Sequence, residues 1–169
     1  MKFEYWWISI LLFAVCNAHA APVSLATDSR YVIQGDTVYD KVTNLTWQRC
    51  SVGQQWVVDT GCVGSVGRFT YDDARKLENK IWRLPTKDEL ESLIDQNRKA
   101  QGQKPMININ AFPNMTEFDY WSSTNAASER SNIINHNPER FANVNFNVGN
   151  TFHIFRGAPF SVRLVKSGQ

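Results

Sequence analysis

An excess of charge of either sign is missing from this chain. Eighteen lysines and arginines stand against 16 acidic residues in 169, a net charge of +2. Nucleic-acid binding rests on a concentrated basic face and is not expected. Six prolines and nine glycines are too few for a fibrous chain, and 43% hydrophobic content is too much for a disordered one. Catalytic signatures are missing too: there is no Gly-x-Ser-x-Gly, His-Glu-x-x-His or phosphate loop. Neither His136 nor His153 sits in a catalytic motif. Asp72 with Asp73, and Asp88 with Glu89, read as first-turn carboxylates that favour a helix dipole. Asn137-Pro138-Glu139 offers a few oxygens, short of the six to eight that calcium takes. The expectation is a protein without catalysis, cofactor or metal.

Long apolar runs are limited to one, residues 6–16, interrupted by Ser9. Lys2 precedes it, and Asn17-Ala18-His19-Ala20 supplies the Ala-x-Ala pattern that signal peptidase reads. A transmembrane helix needs roughly 20 apolar residues, so residues 1–20 are expected to be a cleaved export signal. An uncleaved anchor is one alternative. Lipid attachment at Cys16 is another, disfavoured by the bulk of Val15. Residues 21–29 then form a lead-in, 30–166 a single domain and 167–169 a tail. No membrane span is expected after cleavage, and the product works in the periplasm or at the cell surface. The mature chain is long enough to bury about 68–70% of its unfolded surface.

Of three cysteines, Cys50 and Cys62 remain in the mature chain. An even count in an exported protein reads as a disulfide. Their spacing, with no nearby histidine, fits neither zinc nor Cys-x-x-Cys. The short loop closed between them would contribute about 3 kcal/mol.

Tyr31, Val32 and Ile33, then Gly35 and Asp36, then Thr37, Val38 and Tyr39 predict a hairpin. Residues 42–47 continue as an extended segment, and a stapled surface loop lies between the cysteines. Thr70 caps a short helix with Asp73 at its third position and Ala74 and Leu77 facing inward. Thr86 with Glu89 forms a capping box ahead of Leu90, Leu93 and Ile94, which recur at helical spacing. Residues 120–124 have strand composition. Residues 141–148 alternate, with Val144, Phe146 and Val148 on one face and Asn143, Asn145 and Asn147 on the other. Strands at 151–155 and at Phe160, Val162 and Leu164 follow, opposite Ser161 and Arg163. These three late strands are expected to pair as an antiparallel meander, in an α+β domain with two short amphipathic helices and one disulfide.

Several stretches together carry a resemblance. They are Thr46-Trp47-Gln48-Arg49-Cys50, Gly53-Gln54-Gln55-Trp56, Trp82-Arg83-Leu84-Pro85-Thr86 with Glu89-Leu90, and Ala111-Phe112-Pro113. Tyr120-Trp121-Ser122-Ser123-Thr124, Val144-Asn145-Phe146 with Gly149, and Val162-Arg163-Leu164-Val165 complete the set. In this order, over about residues 30–166, the chain resembles the Lcl C-terminal domain family, a domain of unknown function typified by a bacterial collagen-like adhesin. The resemblance implies export and a fold similar to C-type-lectin-like and formylglycine-generating-enzyme-like domains. The adhesin binds sulfated glycosaminoglycans, so it also implies an acidic glycan as a candidate ligand. This sequence contains no collagen-like stalk. A formylglycine-type oxidase would need a reactive cysteine pair, and both cysteines here are assigned to a bridge.

Candidate ligand-binding residues follow from chemistry. Asn143, Asn145 and Asn147, with Asn132, Asn135, Asn137 and Asn150 nearby, offer amide donors and acceptors suited to sugar hydroxyls. Asparagine is disfavoured in strands, so the run needs a reason; a solvated sheet face is the plainer one. Arg130, Arg140 and Arg156 could hold sulfate or carboxylate groups if they converge with Lys166. Arg163 alternates within an apolar strand and is expected to pair a carboxylate. Arg83 is expected in a structural salt bridge. Trp82 and Trp121 lie in apolar motifs and read as core. Trp56, in the stapled loop, is the best exposed ring for stacking on a sugar. The expected function is therefore an exported binding module for a glycan or an envelope protein. The alternative is a structural or accessory subunit of an envelope or pilus-type assembly.

Overall fold

The computed structural model describes residues 30–128 and 139–169. Residues 1–29, where the export signal and the lead-in are expected, and Arg130, Asn132, Asn135, His136, Asn137 and Pro138 lie outside the described residues. The fold is mixed, built mostly from antiparallel sheets with three short helices and one disulfide.

Strands β1 (Tyr31–Gln34) and β2 (Thr37–Asp40) form the expected hairpin, with Gln34 opposite Thr37. That register leaves Gly35 and Asp36 as a two-residue turn. Gly35 has φ +63°, open to glycine at little cost. The segment after β2 is not extended from Val42. Lys41, Val42, Thr43 and Asn44 turn, with Asn44 at φ +55°, and β3 starts at Leu45 (Leu45–Gln48). An asparagine tolerates the left-handed region, which is why the turn falls there. Strand β3 lies between two neighbours, so Leu45, Thr46 and Trp47 are all buried.

The stapled loop carries its own hairpin, β4 (Gln55–Val57) and β5 (Gly61–Val63), with Trp56 opposite Cys62. The Cys50–Cys62 bond forms as expected. Helix α1 (Tyr71–Arg75) is capped by Thr70, whose hydroxyl accepts the Asp73 N–H. Helix α2 (Lys87–Glu91) has the full capping box of Thr86 and Glu89. It stops before Leu93 and Ile94, which nonetheless stay buried in the turn that follows. A third helix, α3 (Gln96–Ala100), is capped by Asp95.

The meander differs from the expected one. Its strands are β6 (Asp119–Asn125), β7 (Arg140–Asn145) and β8 (Asn150–Phe155), in that order. Residues 146–148 leave β7 in a turn, so Val148 is exposed instead of sharing a strand face with Val144. The stretch 160–164 does not join β8. It runs between the two sheets: the Trp121 N–H donates to Ser161 O, and the N–H groups of Val52 and Gln48 donate to Val162 O and Leu164 O. The chain then ends in β9 (Val165–Ser167), paired with β3 in the sheet β1-β2-β3-β9. With neighbours on both sides, residues 161–165 are buried whether polar or apolar. Two apolar clusters flank this stretch, one around Trp47, Phe112 and Tyr120, the other around Trp121, Phe141 and Val162.

Candidate functional site

The strongest concave feature is an open groove of about 690 Å³ beside the disulfide. That size falls within the range of small-molecule sites. Five separated segments line it: the β1–β2 turn with Asp36, the end of β3 with Gln48, the cysteine loop with Gln55 and Trp56, and, as an apolar floor, Leu77 after α1 and Leu164 just before β9. The disulfide fixes the loop and the β4–β5 hairpin fixes Trp56 on it. Gly53 is required here. Its φ is +98°, and a Cβ would meet Gly67 N at 2.6 Å and Ser65 O at 2.7 Å.

Trp56 is half-buried and rests on the Arg49 guanidinium, 4.0 Å from ring centroid to Cζ. Arg49 is itself buried and cannot swing away. Its Nε donates to Ala111 O (3.0 Å), Nη1 to Gly35 O (2.7 Å) and Nη2 to Asn110 O (2.9 Å). Arg163, 1% exposed, supports it from beneath. Its Nη1 donates to the carbonyls of Gln48 and Arg49, and Nη2 to Ser51 Oγ at 3.2 Å. The Ser51 hydroxyl lies 2.6 Å from that of Tyr120. Burial pushes the pKa of both guanidiniums down. The carboxylate expected for Arg163 is a carbonyl cage instead, because the stretch between two sheets meets backbone edges on its flanks and no acidic side chain.

The polar groups facing the groove contrast with those behind it. Among the described residues, the carboxylate of Asp36 and the amides of Gln48 and Gln55 make no side-chain hydrogen bond. The Gln54 amide is engaged, its Oε1 accepting the Ser51 N–H at 3.3 Å and its Nε2 at 3.5 Å from Gly64 O and Asn114 O. An indole, three amides and one carboxylate thus meet a small apolar floor. They can stack on a ring and exchange hydrogen bonds with hydroxyls or amides, and they hold no nucleophile next to a base.

Most of the other expected ligand contacts among the described residues are engaged elsewhere. Asn143 is 1% exposed, so it faces the interior and not a ligand or solvent. Its Nδ2 and that of Asn145 both donate to Asp119 Oδ1, at 2.8 and 2.9 Å. Asn145 Oδ1 accepts from the N–H groups of Asn147 and Val148 and closes the β7–β8 turn. The amides of Asn143 and Asn145 are thus strand and turn chemistry, and Asn147 gives its backbone N–H to that turn. Arg140 donates to His153 O and lies over the Phe155 ring at 4.1 Å. Arg156 pairs with Asp72 and with Glu139. Lys166, on β9, stands 5.7 Å from the half-buried Trp82 ring. Neither Arg140 nor Arg156 lines the groove, and among the described residues Trp56 is the one expected contact that does. Arg83 forms the expected bridge, two 2.7 Å bonds to Glu89.

Sequence reading misses Asp36, Gln48 and Gln55 because they join only when the β1–β2 turn, the end of β3 and the cysteine loop meet. A signal for two of them was present in the Thr-Trp-Gln-Arg-Cys and Gly-Gln-Gln-Trp motifs, which hold the groove's rim. No curated protein matches this chain. The sequence model of the Lcl C-terminal domain matches residues 36–166, which include every groove residue named above. The chain belongs to the Lcl C-terminal domain family.

Proposed function

We propose that this is an exported, non-catalytic binding module that recognises a glycan through the groove beside the disulfide. One observation carries the reading: uncommitted Asp36, Gln48 and Gln55 line the same groove as the Trp56 ring, on a frame fixed by the disulfide. Sugar binding calls for a flat apolar face and hydrogen-bonding groups that can both donate and accept. The disulfide supports an oxidising compartment, hence the periplasm or the cell surface. As the frame we propose a C-type-lectin-like architecture, supported by the return of β9 to the N-terminal sheet, where it pairs with β3. An acidic glycan held by loop arginines has less support, since Arg140 and Arg156 already hold partners.

A glycan array spanning neutral and acidic sugars, read with the oxidised wild type and Trp56→Ala, tests the proposal. Wild type should bind at least one class. Trp56→Ala should lose about tenfold or more in affinity while keeping its melting temperature. Equal binding by both proteins would sink the groove as the site.

A second reading, an accessory subunit of an envelope assembly, is favoured by the open edge of β8, where Phe152 and Phe155 are exposed. Unpaired strand edges with apolar side chains accept further strands. Co-purification from envelope fractions, lost on Phe152→Lys, would support it over the first.

A further inference from the structure

We infer that the groove selects an uncharged saccharide and that Asp36 is its specificity-determining residue. The inference rests on the glycan reading and narrows it. Asp36 is the single ionisable side chain that faces the groove among the described residues. A carboxylate there accepts from two hydroxyls at once and repels sulfate or uronate.

The cations nearby do not reverse this. Three of the five N–H groups of Arg49 end on the carbonyls of Ala111, Gly35 and Asn110, and its guanidinium lies against the Trp56 ring. Three of those of Arg163 end on Gln48 O, Arg49 O and Ser51 Oγ, and its Nε is buried. An anionic ligand in this open groove would therefore meet the repulsion of the Asp36 carboxylate with no cationic side chain among the described lining residues to offset it. A neutral ring faces no such penalty. Its C–H face stacks on Trp56, and its hydroxyls meet Asp36, Gln48 and Gln55, each of which is unengaged.

Arg49 acts here as a positioning residue. Its guanidinium fixes the Trp56 plane, and its hold on Gly35 O fixes the turn that carries Asp36. Ring and carboxylate, the two halves of the recognition, are thus set by one buried side chain.

The test is NMR titration of the exported, oxidised protein with neutral probes (cellotriose, maltotriose, chitotriose) and acidic ones (a heparin hexasaccharide, trigalacturonate). The expected result is saturable shifts of the Trp56 indole N–H and the Gln48 and Gln55 amides with a neutral probe. Its affinity should change by less than about twofold between roughly 0.05 and 0.5 M salt, because no ion pair forms. Asp36→Asn should weaken that probe about tenfold and leave the melting temperature in place. Acidic probes shifting these residues, with affinity that collapses as salt rises, would overturn the inference and keep the glycan reading. Silence of both classes at these residues would overturn both.

Discussion

At Arg163 a buried cation is stabilised by carbonyl and hydroxyl oxygens and by the Phe112 and Tyr120 rings, and the consequence is large for a single side chain. Replacing it by methionine keeps the volume but takes the donor from Gln48 O and Arg49 O in a dry interior, while Ser51 Oγ keeps the Tyr120 hydroxyl. Each such orphan costs about 1–3 kcal/mol. Arg163→Met should therefore lose roughly 3 kcal/mol or more in urea unfolding, against less than about 1 for Arg140→Met, whose residue sits nearer the surface. The pair Arg83–Glu89 gives a pH signature. Burial alone would raise the Glu89 carboxyl, but the Arg83 guanidinium and the Thr86 N–H outweigh it and hold the carboxyl below its ordinary range. A depressed native pKa means that the unfolded chain takes the proton first, near about pH 4.3. The stabilisation is complete above that value and is lost as pH falls through the native one. Arg83 is partly exposed, so the effect is modest, roughly 1 kcal/mol after screening. Glu89→Gln should show a smaller loss of urea midpoint than wild type between pH 5 and pH 3; an identical slope would refute the linkage. Residue type alone revealed Arg83's role, because the capping box places Glu89 within reach. It could not reveal Arg163's, because a carbonyl cage is assembled by chain crossing and leaves no trace in spacing.

Helix starts were the most legible elements. Thr70 and Thr86 each precede a carboxylate at the third position, a local rule that the fold obeys without help from distant contacts. Helix α3 escaped because its five residues, Gln96–Ala100, bury none of their side chains and so carry no apolar stripe. Its place is set from outside: Lys99 donates to Gly149 O, and Arg98 to Pro105 O. Strand pairing was legible within hairpins and illegible beyond them. Alternation at Phe160, Val162 and Leu164 is real, yet burial on both sides suits a connection between sheets as well as a strand in one. The β4–β5 hairpin is three residues a side and has little apolar cover of its own, so the disulfide must hold it. Cys50→Ser with Cys62→Ser should cost about 3 kcal/mol, roughly 10 °C in melting temperature. The same change should free Trp56 from Arg49, seen as a red shift in tryptophan emission. Unchanged stability and emission would show that the hairpin stands without its bond.

For the whole molecule, the family match begins at residue 36, whereas the folded unit begins earlier. The reason is Asp40, 0% exposed on β2. Arg30 donates to both of its oxygens, Nε to Oδ1 at 2.8 Å and Nη2 to Oδ2 at 2.6 Å, and Nη2 also reaches Ser92 O. Val42 N–H and the Thr43 hydroxyl complete the shell. Burial alone would raise the Asp40 carboxyl, and these donors together hold it below its usual range. A chain that starts at residue 36 keeps the buried carboxylate and loses its cation, together with β1 and the link to the loop after α2. Breaking a buried pair from one side costs about 3–5 kcal/mol, a large share of the stability of a domain this size. A chain from residue 36 should therefore unfold well below one from residue 30, and Arg30→Ala in the longer chain should reproduce most of the loss. Adding Asp40→Asn to the Arg30 variant should recover part of it, because the stranded charge is then gone. If the longer chain with Arg30→Ala matches wild type in thermal unfolding, β1 and not the ion pair sets the boundary.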